Sequence, residues 1–138
     1  MAAVIADTGP LVAYLDGDEQ QHTWARTQIE TLDEPMLTCD AVLVETAFVL
    51  RRRGHPLDKV FGLLQSEMVT LSFDMAKHWR ALHGLARSYK DLSISLADAC
   101  LVRMSELHHD SVVFTLDRDF LVYRRNGRQK IPLLAPFA

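Results

Sequence analysis

Residues 2–16 read AAVIADTGPLVAYLD. Ala2 to Ala6 are an apolar run of strand length, Asp7 follows as an acid, and Gly9 and Pro10 punctuate the chain before Leu11 to Leu15 turn apolar again. A strand that feeds at once into a helix is the opening half of a βαβ unit. Pro10 suits the first helical position, where its missing N–H would have no partner in any case. Asp7 therefore stands at the carboxyl end of a strand, the place where open α/β sheets gather their ligands.

The same alternation continues outward. An amphipathic helix is expected from about Glu19 to Leu32, ended by Asp33-Glu34-Pro35, and a brief strand over Met36 to Thr38. Asp40 reads as the cap of a helix running to Arg53 and closed by Gly54, and a further helix follows Pro56 to about Glu67. Val69 to Phe73 alternates like a strand, Asp74 caps a helix to about Ser88, and Lys90 to Ser93 is a polar break. Ile94 to His108 is a strongly apolar helix, Ser111 to Leu116 a strand, and a short helix follows Asp117 before a last strand at Ile131 to Leu134. Strands separated by helices predict a three-layer α/β/α architecture around a central, mostly parallel sheet. With 138 residues and no repeat or linker, positions 1–138 are expected to form a single domain.

Composition narrows the class. A 49% hydrophobic content against 24% charged excludes a disordered tail. No apolar run approaches the roughly 20 residues that span a bilayer, and MAAVIADTGP lacks the basic start of a secretory leader. Cys39 and Cys100 have no metal-ligand spacing, so neither a zinc cage nor a disulfide framework is expected, and a reducing cytoplasm is. The net charge of −3 does not mark a nucleic-acid binder, but its distribution is uneven: Arg51 to Arg53 form one basic cluster, and Arg124, Arg125, Arg128 and Lys130 a second segment free of acids after Phe120.

Four acids are poorly explained by packing. Asp7 ends the first strand, with helix capping as the competing explanation. Glu45, in DAVLVETAFVLRRRG, has Ala41, Val42, Phe48 and Val49 as its helical neighbours and no cation among them. An unpaired carboxylate on an apolar face costs several kcal/mol or shifts its pKa unless that edge is solvated. Asp98, in LSISLADACLVRM, lies among Ile94, Ser95, Leu101 and Val102, with Arg103 pointing roughly 140° away. If buried, it needs a partner from elsewhere: an arginine, a backbone amide or a cation shared with other acids. Asp117 follows the strand SVVFTL, with Asp119 two residues on, and either can serve as a cap for a one-turn helix. Together the four point to one cleft. Carboxylates without His or Cys select a hard cation, Mg²⁺ or Mn²⁺, and the chemistry such a site supports is metal-assisted hydrolysis of a phosphodiester. An aspartyl phosphotransfer site of the haloacid-dehalogenase type fits less well, because it wants a second Asp where this chain has Gly9.

VIADTGPLVAYLD, VETAFVLRRRG, SLADACLV and VVFTLDRDF, in that order, resemble the motifs of the PIN-domain ribonucleases, and in particular the VapC-like toxins of prokaryotic toxin–antitoxin pairs. The likeness covers nearly the whole chain. Carried over, it places the family's acidic quartet on Asp7, Glu45, Asp98 and Asp117, with Asp119 sharing or taking the last role, and small hydroxyl positions on Thr8 and Thr115. It implies a Mg²⁺- or Mn²⁺-dependent endoribonuclease cutting single-stranded or loop RNA, leaving a 5′-phosphate and a 3′-hydroxyl. It further implies a homodimer and a cognate antitoxin protein that blocks the site. The alternative is a non-catalytic PIN-like module that docks protein or RNA.

Other residues divide between structural and functional expectations. Arg52 lies seven positions beyond Glu45, nearly in line with it along the helix, and could grip a phosphate next to the scissile one; helix-dipole complementation is the plainer role. Arg118 and the Arg124 to Lys130 segment could track RNA backbone. The six histidines have no ligand spacing, and Trp24 and Trp79 read as core or interface. The apolar stretches 11–15 and 42–64 are rich for so small a domain, so a dimer mate or an antitoxin helix is a natural cover for part of them.

Overall fold

In the computed structural model, which describes residues 2–138, strand β1 (Ala3–Ala6) holds the middle of a five-stranded sheet. Helices α1 (Thr8–Leu15) and α2 (His22–Glu30) lead to β2 (Met36–Thr38), and α3 (Asp40–Arg52) and α4 (Asp58–Gln65) lead to β3 (Val69–Leu71). Helix α5 (Met75–Ser88), a 3₁₀ turn at Lys90–Leu92 and α6 (Leu96–Leu107) return the chain to β4 (Ser111–Phe114). A second 3₁₀ turn (Arg118–Leu121), the hairpin β5 (Arg124–Arg125) and β6 (Gln129–Lys130), and β7 (Leu133–Leu134) follow.

The sheet order is β3-β2-β1-β4-β7 and every pairing is parallel, with Ile5 opposite both Leu37 and Val113. The chain first steps from β1 toward β3, then crosses back to β4 on the other side. Right-handed crossovers that reverse direction put helices on both faces, which gives the expected three layers. Ile5, Ala6, Val113 and Phe114 are completely buried, as two-sided coverage requires. Helix α6 is buried along eight of its twelve residues, because it lies between the sheet and its helical neighbours α3 and α5 rather than at the surface. Trp24 packs on Phe114 at 5.5 Å between ring centroids and belongs to the core, whereas Trp79 is half-exposed beneath the Arg80 guanidinium.

The boundaries differ from the sequence reading at three helix starts, two of them set by side-chain caps. Helix α1 starts at Thr8, two residues before Pro10, because Asp7 caps it. Asp40 lies inside α3, with Cys39 at the cap position, and α6 starts at Leu96 because Ser95 caps it. The β5–β6 hairpin is an addition. Asn126 and Gly127 take φ of 54° and 79°, the left-handed pair that an Asn-Gly turn supplies at little cost.

Candidate active site

The strand order switches direction between β1 and β4, and the crevice beyond their carboxyl ends is where the acids meet. Asp7 extends β1 by one ladder bond, its N–H donating to the Phe114 carbonyl at 2.9 Å. One of its carboxylate oxygens then accepts the Thr8 N–H at 2.7 Å, and the other accepts the Thr115 hydroxyl at 2.6 Å. Thr115 Oγ1 in turn accepts the Asp117 N–H at 2.9 Å. One buried hydroxyl thus ties the ends of both central strands together and fixes two acids at once. Asp117 caps the second 3₁₀ turn by accepting the Asp119 N–H at 2.9 Å. Gly9 sits where a Cβ would meet the Leu116 side chain at 3.2 Å, so any larger residue there would push Leu116 aside by a few tenths of an ångström.

Asp98 enters from the first turn of α6. Its N–H donates to Ser95 Oγ, and its carboxylate accepts the Tyr123 hydroxyl at 3.0 Å. Tyr123 is buried and wedged edge-on between Tyr89 and Phe120, so the hydroxyl is aimed rather than free to turn. Glu45 reaches the same crevice from α3. Asp7, Thr8, Gly9, Glu45, Asp98, Leu116, Asp117 and Arg118 line a cleft of about 540 Å³. Asp98, Asp117 and Asp119 each bring a carboxylate oxygen within 4.8 Å of the others.

The five acids proposed from sequence therefore gather at one end of the sheet, and among the described residues none is ion-paired. Burial pushes the Asp7 carboxyl up to about 7, opposed by the bonds from Thr115 and Thr8 and reinforced by the charges of Asp98 and Asp117. Burial likewise raises Asp98 to about 6, with Asp117 and Glu45 adding repulsion and Tyr123 pulling it back. Asp16 is the counter-example. It is equally buried, yet its carboxyl is held below the ordinary range by the Asp18 amide, with Arg53 and His55 also bonded to it. A buried acid with partners is structural; buried acids that repel one another hold protons more tightly and mark a candidate ligand site.

The donor set fits a hard divalent cation: carboxylates and hydroxyls only, with no thiol or imidazole lining the cleft. The buried Thr8 hydroxyl beside Asp7 has no partner, an orphan that a cation's hydration shell would satisfy. Asp98, Asp117 and Asp119 lie close enough together that they could hold such an ion, and Asp7 and Glu45 line the same cleft.

A family model described as the PIN domain matches residues 4–126. The chain belongs to the PIN-domain family. Among solved structures, this PIN domain is similar to Mycobacterium tuberculosis VapC20, described as a sarcin–ricin loop cleaving toxin. The TM-score is 0.76 at 16% identity, covering 94% of this chain and 100% of that one, and the likeness establishes a shared fold. No curated protein matches the chain in sequence.

Two residues of this PIN domain change place relative to the sequence reading. Arg52 does not line the cleft; its guanidinium lies over the Phe48 ring, and Arg53 is committed to Asp16 and Glu19. The cation that does line it is Arg118. Tyr123 was not anticipated, since a tyrosine in an aromatic, basic segment carries no sign that its hydroxyl will meet an acid 25 residues earlier.

Proposed function

We propose that this PIN domain is a metal-dependent endoribonuclease and the toxin of a toxin–antitoxin pair. The observation that carries the reading is the cleft of mutually repelling, unpaired carboxylates at the switch point of the sheet. The fold shared with a toxin described as cleaving the sarcin–ricin loop supports RNA as the substrate. Mg²⁺ or Mn²⁺ is the proposed cofactor, with Asp7, Glu45, Asp98 and Asp117 as the catalytic acids and Asp119 as a further ligand. When bound, the ion supplies Lewis-acid activation of water and neutralises charge developing on the phosphodiester.

The chain's own residues supply position. Thr115 and the Thr8 amide hold both oxygens of Asp7, and Tyr123 holds Asp98, so neither carboxylate has to reorganise when substrate arrives. Leu116 and Gly9 form part of the cleft wall. Beside Glu45, an apolar groove of about 500 Å³ includes Val44, Phe48, Met75 and Leu96, and Val44 and Phe48 are 69% and 60% exposed. That groove supports an antitoxin segment as cover, and the exposed Leu57 and Phe61 of the neighbouring α4 region support a homodimer contact. The proposed organisation is one domain over residues 1–138 working in the cytoplasm; no helix among the described residues is long and apolar enough to cross a membrane.

Incubation of the purified protein with a single-stranded RNA pool tests the reading. Cleavage to 5′-phosphate ends is expected with Mg²⁺ or Mn²⁺ and none with chelator. A non-catalytic docking module would instead leave RNA intact in every metal and bind it equally in EDTA. Competition with single-stranded DNA decides between RNA and DNA as substrate.

Tyr123→Phe provides a finer check. Removing the hydroxyl takes away a bond that favours ionised Asp98, so the Asp98 carboxyl moves further up. The acidic limb of the pH–rate profile is expected to move upward by about one pH unit, the worth of one hydrogen bond to a charged group. An unmoved limb would remove Asp98 from the ionisations that control the rate.

A further inference from the structure

The acid cleft has one cationic side chain on its lining, and it is held in a particular way. Arg118 stands between Asp117 and Asp119 in sequence, yet its guanidinium carbon lies 4.8 Å from the centroid of the Phe137 ring. Among the described residues it has no carboxylate within ion-pair distance and its N–H groups donate no hydrogen bond. Stacking occupies the face of a guanidinium and leaves its edge donors free, which is the presentation that phosphate oxygens accept. The turn that carries Phe137 is closed by the Ala138 N–H donating to the Ala135 carbonyl at 3.1 Å. Arg118 and Leu116 also line a second pocket of about 490 Å³ with Gln21, Pro136 and Phe137, so cleft and pocket adjoin along Arg118.

We infer that Arg118, propped on Phe137, grips the phosphate next to the scissile one, and that the pocket beyond it seats the nucleotide which that phosphate joins. The inference rests on the ribonuclease reading and names its missing cation. A polyanion approaching carboxylates needs positive charge within one nucleotide of the ion, and the arginine cluster at Arg51–Arg53 lines neither chamber. The pocket offers the apolar surfaces of Leu116 and Pro136 and the Gln21 amide to a base. Glu19 at its rim already accepts from Arg53 at 2.9 Å, so its charge is partly met. Arg118 is a positioning residue whose contact is with the backbone, so it should be indifferent to base identity.

Anisotropy titration of a fluorescein-labelled short single-stranded RNA, in an Asp7→Asn background, reads binding independently of cleavage. Adding Arg118→Ala is expected to weaken binding about tenfold for every RNA sequence tried, and to reduce the log–log salt slope by about 0.7, one phosphate contact on a single strand. Arg118→Lys should recover the slope, and Phe137→Ala should cost a few-fold in affinity with the slope retained, since the charge stays and only its orientation is lost. In the otherwise wild-type enzyme, Arg118→Ala should raise KM with kcat within about twofold, and leave Tm unchanged because the side chain is exposed. Unchanged affinity and slope in Arg118→Ala, or a loss confined to kcat, overturns the assignment. Absence of cleavage by the wild-type enzyme in any metal counts against the ribonuclease reading alone, because the titration judges Arg118 without it.

Discussion

Asp7→Asn is expected to lower RNA cleavage at saturating Mg²⁺ by about 10³-fold, the several kcal/mol that a well-placed cation supplies to a phosphodiester transition state. The substitution keeps the shape of the side chain. Its remaining oxygen can still accept the Thr8 N–H that caps α1, and its amide can donate to Thr115 Oγ1 in place of the bond it formerly accepted. What disappears is a charge that is 5% exposed and surrounded by other acids. The metal-free variant should therefore be more thermostable than the parent near neutral pH while losing activity, a separation that misfolding cannot imitate. Circular dichroism with a single-turnover assay checks both halves, and a variant cleaving at the parental rate would put the site elsewhere.

The second large effect is a linkage between pH, metal and stability. In the unfolded chain the Asp7 carboxyl titrates at its ordinary value of 3.8; in the fold it titrates at about 7. The folded protein thus keeps a proton that the unfolded chain has released. Stability is full below the ordinary carboxylate value and is lost as pH rises through the folded one. By about pH 8 the loss is on the order of 4 kcal/mol from Asp7, and Asp98, raised to about 6, acts in the same direction. In EDTA, Tm should fall on the order of 10 °C between about pH 5 and 8. Mg²⁺ should recover most of that near pH 8 and little near pH 5, where protons already neutralise the cleft. Differential scanning fluorimetry across pH, with Asp7→Asn as the control that flattens the chelated curve, measures it. A chelated Tm that stays level, or climbs with pH, would contradict the burial and mutual repulsion of these acids.

The central sheet could be read from sequence because apolar strands and turn chemistry agree there. AVIA followed by an acid, and SVVF followed by Thr-Leu-Asp, leave few other assignments. Glu45 and Asp98 were conspicuous for a related reason, since each contradicts the apolar face on which it sits. Asp16 shows where such reasoning stops. It too is a buried acid near a strand-to-helix motif, and only three-dimensional packing brings Arg53 to it from 37 residues away. Tyr123 and Phe137 act through contacts of that kind, so no local pattern marks them. The Asn-Gly of the hairpin is a local turn signal, but the short basic strands around it carry no apolar alternation to mark them.

The bond between Thr115 and Asp7 closes a gap of 108 residues. While the chain is being made, the first acid waits on a strand whose fourth-strand neighbour has not yet left the ribosome, with no hydroxyl to orient it and no aspartates opposite. A site assembled this way is complete only once the segment bearing Thr115 and Asp117 is in place, so a chain cut short before it would hold the first acid without the hydroxyl that orients it or the aspartate that opposes it.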